Sequence, residues 1–431
     1  MDKGIINLSL AGFGTVGTGL ARIIQENSGW IQRRTGKKIV IRKILVRDTS
    51  RVRSFMPGPE ARFTDRMEDI LQDSETDIVV ELMGGLEDAR ELISKSLSSG
   101  KHVVTANKAL LAEKGNELFA LAHEKQRGLY YEASVAGGIP IVQTLRESLA
   151  GNRIRSITGI LNGTANFILS EMTARGQSFE SALKAAQEKG YAEADPTLDV
   201  EGMDAAHKLA ILIRLAHGAD YPLADLPVQG IAGVKAMDVD LAGEFGYVLK
   251  LIAQVKEQSG HLQAGVFPAL LPQEHILAKV DGPFNSILLE GNAVGPIMLY
   301  GQGAGDLPTG SAVLADIMAL ARDNTDIDNT GFQDRKLPSA DRIEPDLAVY
   351  RHYFRMTALD KPGVLSAVSG VMGEHDISIA QAVQKPGPQG KNVPIVFLTH
   401  RAQLKAVKSA LKVIDGLDFT TAPTVHYRIL K

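Results

Sequence analysis

Asp204 and Lys208 stand four residues apart in "KGYAEADPTLDVEGMDAAHKLAILIRLA", the stretch from Lys189 to Ala216. From Met203 onward apolar residues occupy almost every side of a helical wheel, the pattern of a helix enclosed by other structure. Residues at i and i+4 lie one above the other on a single face. Removing a carboxylate and an ammonium from water costs about several kcal/mol for each ion unless they are paired and hydrogen-bonded. A structural ion pair would account for this helix by itself. A proton-transfer couple needs a substrate and a reaction supplied by the rest of the chain.

A second chemical pattern lies near the N-terminus. "AGFGTVGTGL" fits G-x-G-x-x-G through Gly12, Gly14 and Gly17, after a strand and at the start of a helix, the context in which this motif binds a dinucleotide. Gly12 permits the tight turn, Gly14 lets the backbone approach a pyrophosphate, and Gly17 allows close helix packing. Phe13, Thr15 and Val16 belong to the same loop, and the helix N-terminus favours phosphate charge. The next strand ends in "KILVRDTSRVR". An acid at such a position suits the ribose hydroxyls of NAD, whereas Arg suits the 2′-phosphate of NADP. Arg47, followed by Arg51 and Arg53, favours NADP; Asp48 leaves NAD open, and a solvated charged loop is the alternative for all four.

The elements that must position these groups follow from hydrophobic periodicity. Short β-branched runs ("IINLSLAG", "KIVIRKILV", "TDIVVELMG", "HVVTAN", "GLYYEASV") alternate with helical stretches over residues 1–134. That alternation implies right-handed crossovers and a mostly parallel sheet, an α/β doubly wound dinucleotide-binding domain. Residues 135–305 change to longer helices mixed with strands and read as an α+β substrate and dimerisation domain. A glycine-rich entry then opens a helix over 306–323 that is expected to return to the first domain. Residues 324–346 lack periodicity and read as a linker. Residues 347–431 carry a compact βαββαβ pattern, the signature of a small ferredoxin-like domain.

Composition sets the outer bounds. The 431 residues suffice for two or three domains, and a net charge of −3 with no basic face argues against nucleic-acid binding. With no cysteine there is no disulfide, thiolate metal site or thiol nucleophile. The start "MDKGIINLSLAGFG" is unlike a signal peptide, and no apolar run approaches the roughly 20 residues that span a bilayer. A cytoplasmic protein without membrane partners is expected.

The motifs combine into a resemblance. "AGFGTVG", "ELMGG", "VVTANKALLA", "YEASVAGGIPI", "GILNGTANFIL", "KGYAEADPTLDVEGMDAAHKL" and "GAGDLPTGSAV" occur in the order seen in homoserine dehydrogenases and span nearly all of residues 5 to 320. The motifs from Gly190 to Lys208 are specific to that family in a way the glycine fingerprint is not. "LDKPGVLSAVSGVMGEHDISI" resembles an ACT domain, a regulatory module that binds amino acids. The chain is thus similar to the monofunctional form with a C-terminal ACT domain.

The resemblance implies interconversion of L-homoserine and L-aspartate 4-semialdehyde, with reduction of the aldehyde by NADPH as the biosynthetic direction. Lys208 then takes the position of the family's catalytic lysine, donating the proton to the carbonyl oxygen, with Asp204 holding it in place while desolvation lowers its pKa. Glu193, Asp199 and Thr164 fall in the substrate shell, Glu193 best suited to the ammonium. Lys108, an exposed helix-start lysine by spacing alone, becomes a second active-site lysine, and Thr105 joins it beside the cofactor. "EASVAGGI" matches the family's monovalent cation site, with sodium or potassium held by Glu132 (side chain or backbone) and the carbonyls of Val135, Gly137 and Ile139. Asp306 and Ala165 depart from the family's usual glycine and hydroxyl residue.

L-threonine, the pathway product, is the natural effector of the last domain, and a homodimer or homotetramer is expected. Two other functions remain open at this stage. One is an NADP-dependent dehydrogenase of another small amino or hydroxy acid; the other is an amino-acid sensor with an inactive dehydrogenase half.

Overall fold

A computed structural model describes residues 4–53, 55–322, 330–334, 336–385 and 391–431. Contacts divide them into two compact units: residues 1–163, 203–226 and 283–340 form the first, and residues 164–202, 227–282 and 341–431 the second. Elements are numbered in chain order through both units. The expected linker over 324–346 begins in residues 323–329, which lie outside the described residues.

The first unit contains a sheet of β1 (Ile5–Ala11), β2 (Lys38–Leu45), β3 (Arg62–Thr64), β4 (Ile78–Glu81), β5 (His102–Thr105) and β6 (Leu129–Tyr130). All neighbours are parallel, in the order β3-β2-β1-β4-β5-β6. The order reverses between β1 and β4, the place where open α/β sheets bind nucleotides. Helices α1 (Thr15–Glu26), α2 (Ser28–Thr35), α3 (Glu68–Leu71), α4 (Glu87–Ser98) and α5 (Lys108–Glu124) connect the strands. Apolar runs in β1, β4 and β5 are buried on both faces, as a covered parallel sheet requires.

One of the helices against this sheet comes from far along the chain. In α12 (Asp306–Ala321), Val313, Ile317 and Leu320 share a buried cluster with Leu20 and Ile24 of α1 and Leu8, Val80 and Val104 of the sheet. Two glycines make the approach possible. A Cβ on Gly19 would sit 2.2 Å from the Asp306 carbonyl oxygen, and one on Gly310 would sit 2.8 Å from the Leu20 nitrogen.

After β6 the expected strand "GLYYEASV" stops at Tyr130, and Glu132–Ser134 form a short 3-10 turn. The chain continues as α6 (Ile141–Gln143), which runs into a π turn over Thr144–Ser148. Strand β7 (Ile154–Ile160) pairs antiparallel with β10 (Phe284–Gly291), which pairs with β11 (Gly295–Gln302). Helix α10 (Met203–His217) packs on α5 and is buried along most of its length, as its all-round apolar wheel predicts.

The second unit begins with α7, which runs from Gly163 to Arg175, and continues with α8 (Phe179–Glu188), α9 (Thr197–Val200) and α11 (Ala236–Glu244). Strands β8 (Tyr247–Gln258) and β9 (His261–Pro272) form a long hairpin. The C-terminal module supplies β12 (Val349–Leu359), α13 (Val364–Glu374), β13 (Ile379–Gln384), β14 (Asn392–Thr399), the short β15 (Ala402–Gln403), α14 (Leu404–Asp415) and β16 (Thr420–Ile429). Its core stacks Phe354 on Phe397, with ring centroids 5.1 Å apart, under Val368, Met372, Val407 and Ile414. Strand β16 does not end the sheet: Arg428 and Ile429 pair in parallel with Ala269 and Leu270 of β9. Among the described residues no helix is long and apolar enough to cross a membrane.

Candidate active site

The glycine loop leaves β1 at the sheet's switch point. Gly12 has φ +104° and a Cβ there would lie 2.5 Å from the Leu82 carbonyl oxygen, so only glycine fits. A Cβ on Gly17 would lie 2.6 Å from the Gly12 carbonyl oxygen. Gly14 differs: it is exposed, with nothing within 4 Å of where a Cβ would stand. It is also the N-cap of α1, which has no side-chain cap. Open backbone over an uncapped helix start fits a pyrophosphate. Past β2, the Asp48 carboxylate accepts hydrogen bonds from the amide and hydroxyl of Ser50, which hold it below the usual carboxylate range. Arg53 lies 4.3 Å over the Phe63 ring and donates to the carbonyls of Asp48 and Arg51.

The ends of β4 and β5 are tied by a group that the sequence does not single out. Glu81 is fully buried, and burial raises its pKa against four hydrogen-bond donors. Its Oε1 accepts from the amides of Met83 and Gly84, at 2.9 and 3.0 Å, and its Oε2 from the Thr105 hydroxyl at 2.5 Å. The Thr105 hydroxyl also accepts from the Asn107 amide, and Asn107 Oδ1 caps α5 through the Leu110 amide at 3.1 Å. Thr105 thus fixes the strand end and helix start that present Lys108. A buried acid closing "IVVE" was the available signal.

Lys108, Asp204 and Lys208 meet in the first unit. Asp204 Oδ2 lies 2.7 Å from Lys208 Nζ, and Asp204 Oδ1 lies 3.0 Å from Lys108 Nζ, so one carboxylate bridges both lysines. Asn162 Nδ2 donates to Asp204 Oδ2 at 2.8 Å, and Lys208 Nζ donates to the Leu161 carbonyl at 2.7 Å. Burial alone would raise the Asp204 pKa; Lys208 and Lys108 overcome it and hold the carboxyl far below its ordinary value. Lys208 is buried with its partner, whereas the Lys108 side chain is 41% exposed. His207, beside them, is held neutral by desolvation and has no place in the bridge.

Asn285, also unmarked in the sequence, donates to the Leu161 carbonyl at 3.0 Å and so orients the acceptor of Lys208. Its buried Oδ1 has no partner among the described residues. Gly303 leaves room for this side chain, since a Cβ there would lie 2.2 Å from the Asn285 amide carbon.

Thr164, Glu193 and Asp199 fall in the second unit, each in the 164–202 segment. The Thr164 hydroxyl donates to the Tyr191 carbonyl at 2.6 Å, fastening α7 to "KGYAEADP". Glu193 is exposed, and Asp195 Oδ1 accepts from the amide and hydroxyl of Thr197 at the start of α9, which carries Asp199.

At the "EASVAGGI" segment, both Glu132 carboxylate oxygens accept backbone amides, of Val142 and Gln143, each at 2.8 Å. The side chain therefore caps α6, which leaves the carbonyl of Glu132 as its group for an ion. Ala136 and Gly137 take φ +55° and +54°, and the carbonyls of Val135 and Gly137 accept no hydrogen bond among the described residues. Also among the described residues, no group of three or more His, Cys, Asp and Glu could hold a metal ion. Asp306 meets Arg22 of α1 at 3.8 Å.

A parallel sheet of this order, its glycine loop and a lysine pair bridged by one carboxylate are the parts of a dinucleotide-dependent oxidoreductase. Family models agree: residues 12–132 match the homoserine dehydrogenase NAD-binding domain, 140–318 match homoserine dehydrogenase, and 352–416 match the ACT domain. A homoserine dehydrogenase of Neisseria gonorrhoeae is 40% identical over 98% of each chain, and one of Lactococcus lactis is 40% identical over 96% of this chain and 97% of its own. The solved homoserine dehydrogenase of Thiobacillus denitrificans superposes with TM-score 0.93 at 40% identity, covering 99% of this chain and 98% of its own. A hyperthermophilic archaeal homoserine dehydrogenase, solved in complex with NADPH, covers 73% of this chain and 97% of its own, with TM-score 0.62 and 28% identity.

The chain belongs to the homoserine dehydrogenase family and carries a C-terminal ACT domain. It is an NAD(P)-dependent oxidoreductase of amino-acid biosynthesis, acting between homoserine and aspartate semialdehyde.

Proposed function

We propose that the chain reduces L-aspartate 4-semialdehyde to L-homoserine with NADPH, and that the observation carrying this mechanism is the Asp204 carboxylate bridging Lys108 and Lys208. The bound nicotinamide supplies the hydride. Addition of a hydride to an aldehyde carbon leaves negative charge on the oxygen, which must be stabilised and protonated. Two ammonium groups against one carboxylate leave a net positive charge, fixed in place before the reaction, where such charge is best stabilised. Lys208, held by Asp204 and the Leu161 carbonyl, donates the proton; Lys108 orients the substrate. Glu193, Asp199 and Thr164 are the second unit's candidates for contacting the substrate, with Glu193 receiving the ammonium.

NADPH is favoured because Asp48 is occupied by Ser50, which leaves Arg47 to meet a 2′-phosphate. A sodium or potassium ion is proposed at the carbonyls of Glu132, Val135, Gly137 and Ile139; those of Val135 and Gly137 have no other partner among the described residues. The ACT domain is proposed to carry feedback inhibition by L-threonine in a cytoplasmic homodimer or homotetramer.

The test is NADPH oxidation by the purified protein with L-aspartate 4-semialdehyde, with NADH in parallel, beside a Lys208→Ala variant. Turnover that falls by about 10²–10⁴-fold in the variant, with NADPH still bound, is the expected result for a lost general acid. Wild-type protein that binds NADPH and leaves the aldehyde untouched would overturn the assignment.

A further inference from the structure

The second unit contains a pocket of about 570 Å³ that includes none of Thr164, Glu193 or Asp199. Its walls are Glu201, the loop from Val228 to Val234, Pro268 of β9 and Thr424–Tyr427 of β16. It lies where the last strand of the ACT domain meets the hairpin strand β9. This size suits a small organic ligand.

The polar groups around it are set by a chain of hydrogen bonds. His352 Nε2 lies 3.1 Å from the Ala402 carbonyl, which can only accept, so that nitrogen carries the proton. Burial pushes the His352 pKa down to about 4, and desolvation followed by the neighbouring His352 holds His426 well below its ordinary value, so both rings are neutral near pH 7. His352 Nδ1 is therefore an acceptor, and His426 Nε2, 2.9 Å away, must donate to it. That leaves His426 Nδ1 as an acceptor, with no protein donor among the described residues. Glu201 adds an exposed carboxylate on the same pocket. The loop adds donors: the amides of Gly230, Ala232 and Gly233 reach no acceptor among the described residues, while those of Gln229 and Ile231 are bound to the Val266 and Val200 carbonyls.

We infer that this pocket binds a free amino acid as its zwitterion, the ammonium received by Glu201 and His426 and the carboxylate by the amides of the 230–233 loop. The inference rests on the reading of the ACT domain as a regulator of the dehydrogenase, and it places the effector against β16 and the 228–234 loop rather than at the "LDKPGVL" turn. The loop also gives the pocket a route to the reaction. Ile231 donates to the Val200 carbonyl at 2.7 Å, and a Cβ on Gly230 would lie 2.2 Å from that same oxygen, so loop and α9 are in backbone contact beside Asp199. A ligand that binds one position of this loop more tightly shifts α9 with it.

Calorimetric titration of the full-length protein with each of the twenty amino acids, L-threonine first, tests the site. Glu201→Gln, an exposed isosteric change, and Ala232→Trp, which fills the pocket from an exposed loop position, are compared with a control, Leu365→Trp at the start of α13. One amino acid should bind once per chain; Glu201→Gln should weaken it at least tenfold, Ala232→Trp should abolish it, and the control should bind as wild type. Basal turnover and melting temperature should be unchanged in Glu201→Gln, which decides the matter if Ala232→Trp misfolds. Wild type that binds no amino acid, or Glu201→Gln that binds as tightly as wild type, overturns the pocket. If L-threonine is the amino acid that binds, inhibition by it that persists in both variants overturns the pocket and leaves threonine feedback standing; another amino acid bound here keeps the pocket and removes threonine from it.

Discussion

A carboxylate shared by two ammonium groups is harder to replace than one in a surface pair. Asp204→Leu would strip Lys208 of its buried counter-charge and Asn162 of its acceptor, and removing one partner of a buried pair costs about 3–5 kcal/mol. Urea denaturation should show a loss of that order. Lys108→Ala should change stability by less than about 1 kcal/mol, because Lys108 is 41% exposed and solvent screens its pairing. Its turnover should nonetheless fall, and a variant as active as wild type would remove Lys108 from the site. The Asp204–Lys208 spacing was legible in the sequence because a helix fixes i,i+4 neighbours. Lys108 was placed in the site by the family resemblance alone, because it reaches Asp204 through the packing of α5 on α10 and no spacing in the chain encodes that.

At the scale of elements, the approach of α12 to α1 depends on Gly19 and Gly310, neither of which belongs to the fingerprint. Gly19→Ala would drive a methyl into the Asp306 carbonyl, 2.2 Å from the Cβ position. Overpacking of this kind costs about 1–3 kcal/mol. Because α1 also presents the pyrophosphate loop, Gly19→Ala should raise KM for NADPH and lower the melting temperature together. An unchanged KM would separate α12 from cofactor binding. The βα alternation and the βαββαβ pattern could be read because each element has a strong period of its own. The hairpin of β8 and β9 went unread, since strands buried along most of their length lack alternation. "GLYYEASV" was read too far as a strand, because Glu132 turns back to cap α6.

For the whole molecule, the buried His352, paired with the half-buried His426, gives the stability a pH dependence. A histidine whose pKa is depressed on folding takes up its proton more readily when unfolded, so stability falls as pH drops below the unfolded value of 6.5. For His352 the loss continues to about 4, and the interval corresponds to at most ~3 kcal/mol. The urea midpoint of wild type should therefore decline between pH 6.5 and 4, and His352→Asn should decline less steeply. Parallel slopes would mean that the imidazole is not neutral in the folded chain. The glycine fingerprint, the helical face of Asp204 and Lys208, the parallel-sheet domain and the C-terminal module were readable from the chain alone, because all of them depend on neighbours in the chain. Tertiary structure alone decided that Lys108 shares the Asp204 carboxylate, that Glu81 and Asn285 brace the site, and that β16 pairs with β9. Those contacts join residues tens to more than a hundred positions apart, and no local pattern encodes which distant backbone will supply a partner.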